Sequence, residues 1–184
     1  MHSKVYFKDY FTNIKAAIDD INSEHLIAIS DLFTKVKKSE KKLILAGNGG
    51  SSSICDHMVV DLNNAAGIKS INFNNPAMIT CLSNDYGYEN WLSKSLEYYA
   101  NLGDLVIFIS SSGQSKNMLV GASKAIDMGL SVVTLTGFSP NNPLRNLGHI
   151  NLWVDSEKYN IVEMTHHIWL LAIVDYINQC NKEL

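Results

Sequence analysis

The segment Leu105-Val106-Ile107-Phe108-Ile109-Ser110-Ser111-Ser112-Gly113-Gln114-Ser115 decides how this chain folds. Five consecutive apolar residues, mostly β-branched or aromatic, read as a strand buried on both faces. They end in hydroxyl residues around a glycine and lead into a helical pattern over 115–128. Leu43-Ile44-Leu45-Ala46, followed by Gly47-Asn48-Gly49-Gly50-Ser51-Ser52-Ser53, repeats the arrangement ahead of a helical pattern over 51–64. Glycine lets the backbone approach an anion closely, and serine supplies short donors. A helix N-terminus adds unpaired N–H groups. Two such loops point to a phosphorylated ligand, one loop holding the phosphate and the other the polar remainder. The serine loop contains no lysine of the Walker A kind, so neither a nucleoside triphosphate nor another nucleotide cofactor is expected.

Working outward, strand-like runs occur at 42–46, 69–73, 105–109, 131–135 and 150–154. Helical patterns at 51–64, 88–100 and 115–128 separate most of them, and 160–178 is a long apolar helix. This alternation predicts an α/β fold: a three-layer sandwich around a five-stranded parallel sheet. Ligands of such sheets sit at the carboxyl ends of the strands, so both loops, Thr136-Gly137 and Asp155-Ser156 should share one crevice. Gly129 reads as a helix C-cap, and 137–148 as a loop with one short helical turn. Residues 4 to about 40 read as a helical hairpin with a break near Asn22-Ser23. Phe7, Phe11, Ile14, Ile18 and Ile21 form an apolar seam on it, and Leu26, Ile29, Leu32, Phe33 and Val36 continue the pattern. The seam either covers the core or packs against a second subunit. The 184 residues favour a single domain over 1–184.

Composition excludes several classes. Fifteen basic and 18 acidic residues give a net charge of -3. The Lys/Arg residues form no stripe, so no nucleic-acid partner is expected. Lys35, Lys37, Lys38, Lys41 and Lys42 read as a solvated helix end. Cys55, Cys81 and Cys180 lack metal-ligand spacing and suit a reducing compartment. Met1 to Val5 lacks the apolar core of a signal peptide, and no run is long enough to span a membrane. A cytoplasmic protein without membrane contact is the expectation.

Two acid–imidazole pairs could carry chemistry. His57 and Asp61 lie four apart in the helix after the first loop, among Met58, Val59 and Val60, which suggests burial. Glu163 and His167 are also four apart in the last helix, with His166 at the third position, and either imidazole could flank Glu163. The pairs could converge as a metal site of His57, Asp61, Glu163 and His167, for example for one zinc ion per subunit. They could equally form a metal-free acid/base set, with Asp61, Glu163 and His167 as the catalytic groups.

The chain resembles the sugar-isomerase (SIS) domain family, and more closely its phosphoheptose isomerase branch. The resemblance rests on Gly47-Asn48-Gly49-Gly50-Ser51, His57 with Asp61, Ser83-Asn84-Asp85-Tyr86-Gly87-Tyr88, Ile109 through Asn117, and Val132-Val133-Thr134-Leu135-Thr136-Gly137. It implies a flavodoxin-like sheet and a homotetramer with sites between subunits. It further implies a sugar phosphate held by Ser110, Ser111, Ser112 and Ser115, with the sugar contacted by Asn48, Gly49, Ser51 and Asp85. The family's heptose isomerases use an acid on the first helix and a histidine on the last, which in some members bind zinc. Here Asp61 stands at the glutamate position, Glu163 at the glutamine, Leu171 at the later histidine and Ala65 at the arginine. His167, one turn after Glu163, offers a substitute imidazole. The resemblance thus implies isomerisation of sedoheptulose 7-phosphate for surface-glycan precursors. The alternatives are a different phosphosugar, or a non-catalytic module that binds phosphosugars or associates with a replication initiator.

Overall fold

The computed structural model describes residues 3–182. Two helices, α1 (Ser3–Asp19) and α2 (Ser23–Lys38), precede β1 (Leu43–Gly47), α3 (Gly50–Asn64) and β2 (Ser70–Asn72). Next come α4 (Pro76–Tyr86), α5 (Trp91–Tyr99), β3 (Leu105–Ser110), α6 (Lys116–Asp127) and β4 (Ser131–Thr136). A 3-10 turn (Arg145–Leu147), β5 (Ile150–Trp153) and α7 (Tyr159–Lys182) complete the chain. The strands pair in parallel in the order β2-β1-β3-β4-β5, as expected of a five-stranded parallel sheet.

Alternation along the strands builds two cores. Leu43, Leu45, Leu105, Ile107, Ile109, Val133 and Leu135 face α2, α3 and α7, where Phe33, Met58 and Leu170 meet them. Ile44, Ala46, Val106, Phe108 and Val132 face the other way, onto Leu82, Trp91, Leu92, Leu96 and Met118 of α4, α5 and α6. Every residue of β1 and β3 is buried, which explains why these strands read as unbroken apolar runs.

One expectation needs correction, and one open alternative is decided in part. The sequence reading has no helix over 76–86, yet α4 lies there. Pro76 starts it without cost at the first turn, where its missing N–H would be unpaired, and Asn75 caps it by accepting from Met78 N at 3.1 Å. Of the two roles open to the apolar seam, covering the core falls only to its C-terminal end, where Ile21, with Ala17 of α1, packs against the buried cluster. No α1 residue is buried, and Phe7 and Phe11 are 57% and 64% exposed. Only the C-terminal half of α1 meets the body, where Ile18 O accepts from Trp169 Nε1 at 3.0 Å. The hairpin covers the sheet through Ile29, Phe33 and Val36 of α2.

Helix α7 is fixed to the end of β4 by His166, which is fully buried and donates through Nε2 to Thr136 O at 3.0 Å. Burial pushes its imidazole down from 6.5 to about 4, partly offset by that hydrogen bond. Between these values the unfolded chain binds a proton that the folded chain refuses. Stability is therefore full above about 6.5 and falls as the pH drops toward 4. His166→Gln keeps a donor for Thr136 and does not titrate. Urea unfolding at neutral pH and near pH 4 should show that it removes about 3 kcal/mol of the acid destabilisation of the parent chain. An unchanged pH dependence would contradict the neutral buried imidazole.

Candidate active site

The strand order reverses between β1 and β3, so their outgoing loops part at a switch point and leave a crevice there. Gly47 pairs with Ile109, and Ser110 with Thr136, placing the glycine loop, the serine loop and the end of β4 side by side.

In the serine loop, Ser110 and Ser111 are buried and Ser112 is half-buried. Gly113 has φ +63 and lies under the Asn142 side chain, which would collide with any Cβ at 113. Ser111 Oγ is buried without a hydrogen-bond partner. Ser115 is the N-cap of α6, but its hydroxyl makes no capping bond. A buried unpaired hydroxyl is costly, whereas one that meets a ligand oxygen is satisfied. Both hydroxyls thus suit an oxyanion at the N-terminus of a 12-residue helix. In the glycine loop, Gly49 is exposed and caps α3, Ser51 is buried in its first turn, and Asn48 hydrogen-bonds across to α6.

The acid and imidazole groups come from α3 and α7, which pack against each other. His167 Nε2 lies 2.9 Å from His57 Nδ1, with the rings edge to face. Asp61 Oδ2 lies 3.4 Å from His57 Nε2. The carboxylate favours a proton on that nitrogen, so His57 Nδ1 accepts from His167 Nε2–H and His167 Nδ1 keeps a free lone pair. Contrary to the sequence reading, this pair is not buried: the His57 and Asp61 side chains are 48% and 34% exposed. Burial and the charge of His57 hold the His167 imidazole below its ordinary value, against the opposing pull of Asp61.

Glu163 lies on the same α7 face, one turn before His167. Its carboxylate rests on the Cα of Gly50, in the first turn of α3, so closely that a Cβ at 50 would fall on it. Burial alone raises its carboxyl above the usual range. His167 thus faces α3, whereas His166 faces the end of β4. Asp85 does not join the hydrogen-bonded groups: its carboxylate accepts from Asn84 Nδ2 and Cys81 Sγ at its own end of α4.

The metal arrangement expected for His57, Asp61, Glu163 and His167 does not fit this geometry. Among the described residues no three His, Cys, Asp or Glu side chains are grouped to hold a metal. His57 and His167 each occupy a ring nitrogen on the other.

Asn117 and Tyr88 also join the glycine loop, although the sequence alone assigns them no role. Asn117 pairs with Asn48 through two hydrogen bonds, and the Tyr88 hydroxyl donates to Asn48 Oδ1 at 3.3 Å. Their only sequence signal was their position within the two motifs.

A parallel sheet of this order, with two hydroxyl-bearing loops at its switch point and an acid–imidazole cluster beside them, defines a phosphosugar-binding α/β domain. Residues 6–137 match the SIS domain family, and the chain belongs to it. A protein of Thermoplasma acidophilum named "Probable phosphoheptose isomerase" is 33% identical over 167 residues, covering 86% of this chain and 90% of that one. The structure of a phosphoheptose isomerase from Francisella tularensis superposes with a TM-score of 0.89 at 25% identity, covering 97% of this chain and all of the other. One from Neisseria gonorrhoeae gives a TM-score of 0.86 at 21% identity over 95% and 96% of the chains, a likeness of fold.

The contact between Glu163 and Gly50 can be tested directly. Gly50 lies in the first turn of α3 at an ordinary helical φ, so alanine is compatible with the backbone there. Gly50→Ala should leave thermal unfolding near that of the parent while displacing the Glu163 carboxylate. Phosphosugar turnover should fall on the order of a hundredfold. Full turnover would show that the position of Glu163 is immaterial.

Proposed function

We propose that this chain is a phosphoheptose isomerase, converting sedoheptulose 7-phosphate into an aldoheptose 7-phosphate. The observation that carries this reading is the joining of α3 to α7 through His57 and His167, with the Glu163 carboxylate, one turn before His167, seated on Gly50 at the end of the glycine loop. A pure scaffold has no need of a half-buried carboxylate with a raised pKa beside an imidazole pair.

The residues divide the work. Ser111 and Ser115 bind the phosphate with the N-terminal N–H groups of α6, far from the reacting carbons, so their binding energy positions the chain for reaction. Asn48 and Ser51 face the sugar hydroxyls. The Glu163 carboxylate takes a proton from C1 of the ketose, the carbon beside the carbonyl. The electrons of that C–H bond form the C1–C2 double bond of an enediolate, and the charge passes to O2. The His57–His167 pair, held by Asp61, carries a proton between O2 and O1. Glu163 then returns its proton to C2, leaving the aldehyde at C1. Among the described residues these four side chains are not grouped as ligands, and the steps above use the chain's own side chains.

The exposed seam of α1, with Val60 of α3 and Met164 and Ile168 of α7 also exposed, supports assembly with further copies, as in the tetramer expected of the family. Among the described residues no helix is long and apolar enough to cross a membrane. Three cysteines without disulfides support a cytoplasmic setting, and the phosphoheptose isomerase reading itself supports a place in surface-glycan precursor synthesis.

Incubation of the chain with sedoheptulose 7-phosphate, followed by separation of aldoheptose and ketoheptose phosphates, tests the assignment. Glu163→Gln should bind the sugar with parental affinity and lose about 10²–10⁴-fold in turnover. In the parent, activity should rise with pH through the elevated Glu163 value, because the base must be ionised. Absence of turnover by the parent, or full turnover by Glu163→Gln, would overturn the reading.

A further inference from the structure

Asn48 and Asn117 are 69 positions apart, yet they form a reciprocal amide pair. Asn48 Nδ2 donates to Asn117 Oδ1 at 3.0 Å, and Asn117 Nδ2 donates to Asn48 Oδ1 at 2.9 Å. Asn48 immediately follows β1, and Asn117 is the second residue of α6, behind the serine loop. Asn117 is only 2% exposed, so solvent does not replace its partner easily. The Tyr88 hydroxyl, from the α4–α5 connection, closes the remaining side of Asn48 Oδ1.

A free asparagine on a glycine-flanked loop would sample several rotamers and could present either its oxygen or its nitrogen to a sugar. Two bonds to Asn117 restrict Asn48 to one rotamer. With its oxygen occupied by Asn117 and Tyr88, Asn48 has one N–H left to offer the crevice. The same pair ties the glycine loop to the helix whose N-terminus faces the serine loop. We infer that Asn117 is a positioning residue: it touches no substrate, but sets Asn48 and locks the two halves of the crevice into one unit. This rests on the isomerase reading of the same crevice.

The test is a double-mutant cycle on N48A, N117A and the combined variant, with N117D as a near-isosteric second substitution that accepts from Asn48 but cannot donate to it. Thermal unfolding checks that each is folded. In the parent background, N117A and N117D should each lower kcat/KM for sedoheptulose 7-phosphate about tenfold, mostly through a rise in KM. In the N48A background the further loss should be less than twofold. A merely structural role would reduce kcat through loss of folded enzyme, leave KM alone, and persist in N48A. Parental kinetics in N117A and N117D, or losses that multiply in the combined variant, overturn the inference. Turnover by the parent separately tests the isomerase reading. If that is absent, the cycle is read on the calorimetric Kd for sedoheptulose 7-phosphate, and lack of coupling there overturns the inference as well.

Discussion

The crevice depends on the parallel pairing of β1 with β3, in which Leu43 through Gly47 run beside Leu105 through Ile109. These strands are distant in sequence and adjacent in the sheet, and each is buried on both faces. Their connections leave in different directions, toward α3 on one side and α6 on the other, so two helix N-termini and their loops open at the same point. Burial of the strands holds the loops in register, and the Asn48–Asn117 pair closes the gap between them. A shift in this pairing would separate the serine-loop hydroxyls from the Asn48 amide.

The second requirement is the packing of α7 against α3. Val162, Trp169 and Leu170 bury one face of α7, His166 ties it to Thr136, and Glu163 and His167 are thereby carried toward α3. The close seat of Glu163 on Gly50 limits where this carboxylate can lie. Desolvation then raises its proton affinity above that of a free carboxylate. Fold stability and site chemistry thus share one element, since the same helix that completes the core also delivers the acid and the imidazole.

Much of this was legible in the residues. Unbroken apolar runs located β1 and β3, because strands covered on both faces carry no polar alternation, whereas the edge strands β2 and β5 are partly exposed and admit Asn72 and Asn151. The glycine and serine loops followed from their positions at the strand ends. Helix α4 was not legible: it buries only Leu82, so its apolar period is faint, and Pro76 reads as a breaker unless Asn75 is taken as its cap. Met58, Val59 and Val60 after His57 suggest burial, but Val60 is 60% exposed and α3 turns His57 toward His167 of α7, with Asp61 beside it and both part-exposed. The choice between His166 and His167 required the rotation of α7 about its axis, which tertiary packing sets. The role of Asn117 was hidden because it requires the adjacency of β1 and β3.

The most direct measurement is a crystal structure of the Glu163→Gln variant with sedoheptulose 7-phosphate bound. The account places the phosphate on Ser111, Ser115 and the N-terminal turn of α6, with C1 and C2 beside residue 163 and His167. A phosphate bound elsewhere, or a sugar whose reacting carbons face away from α7, would contradict it.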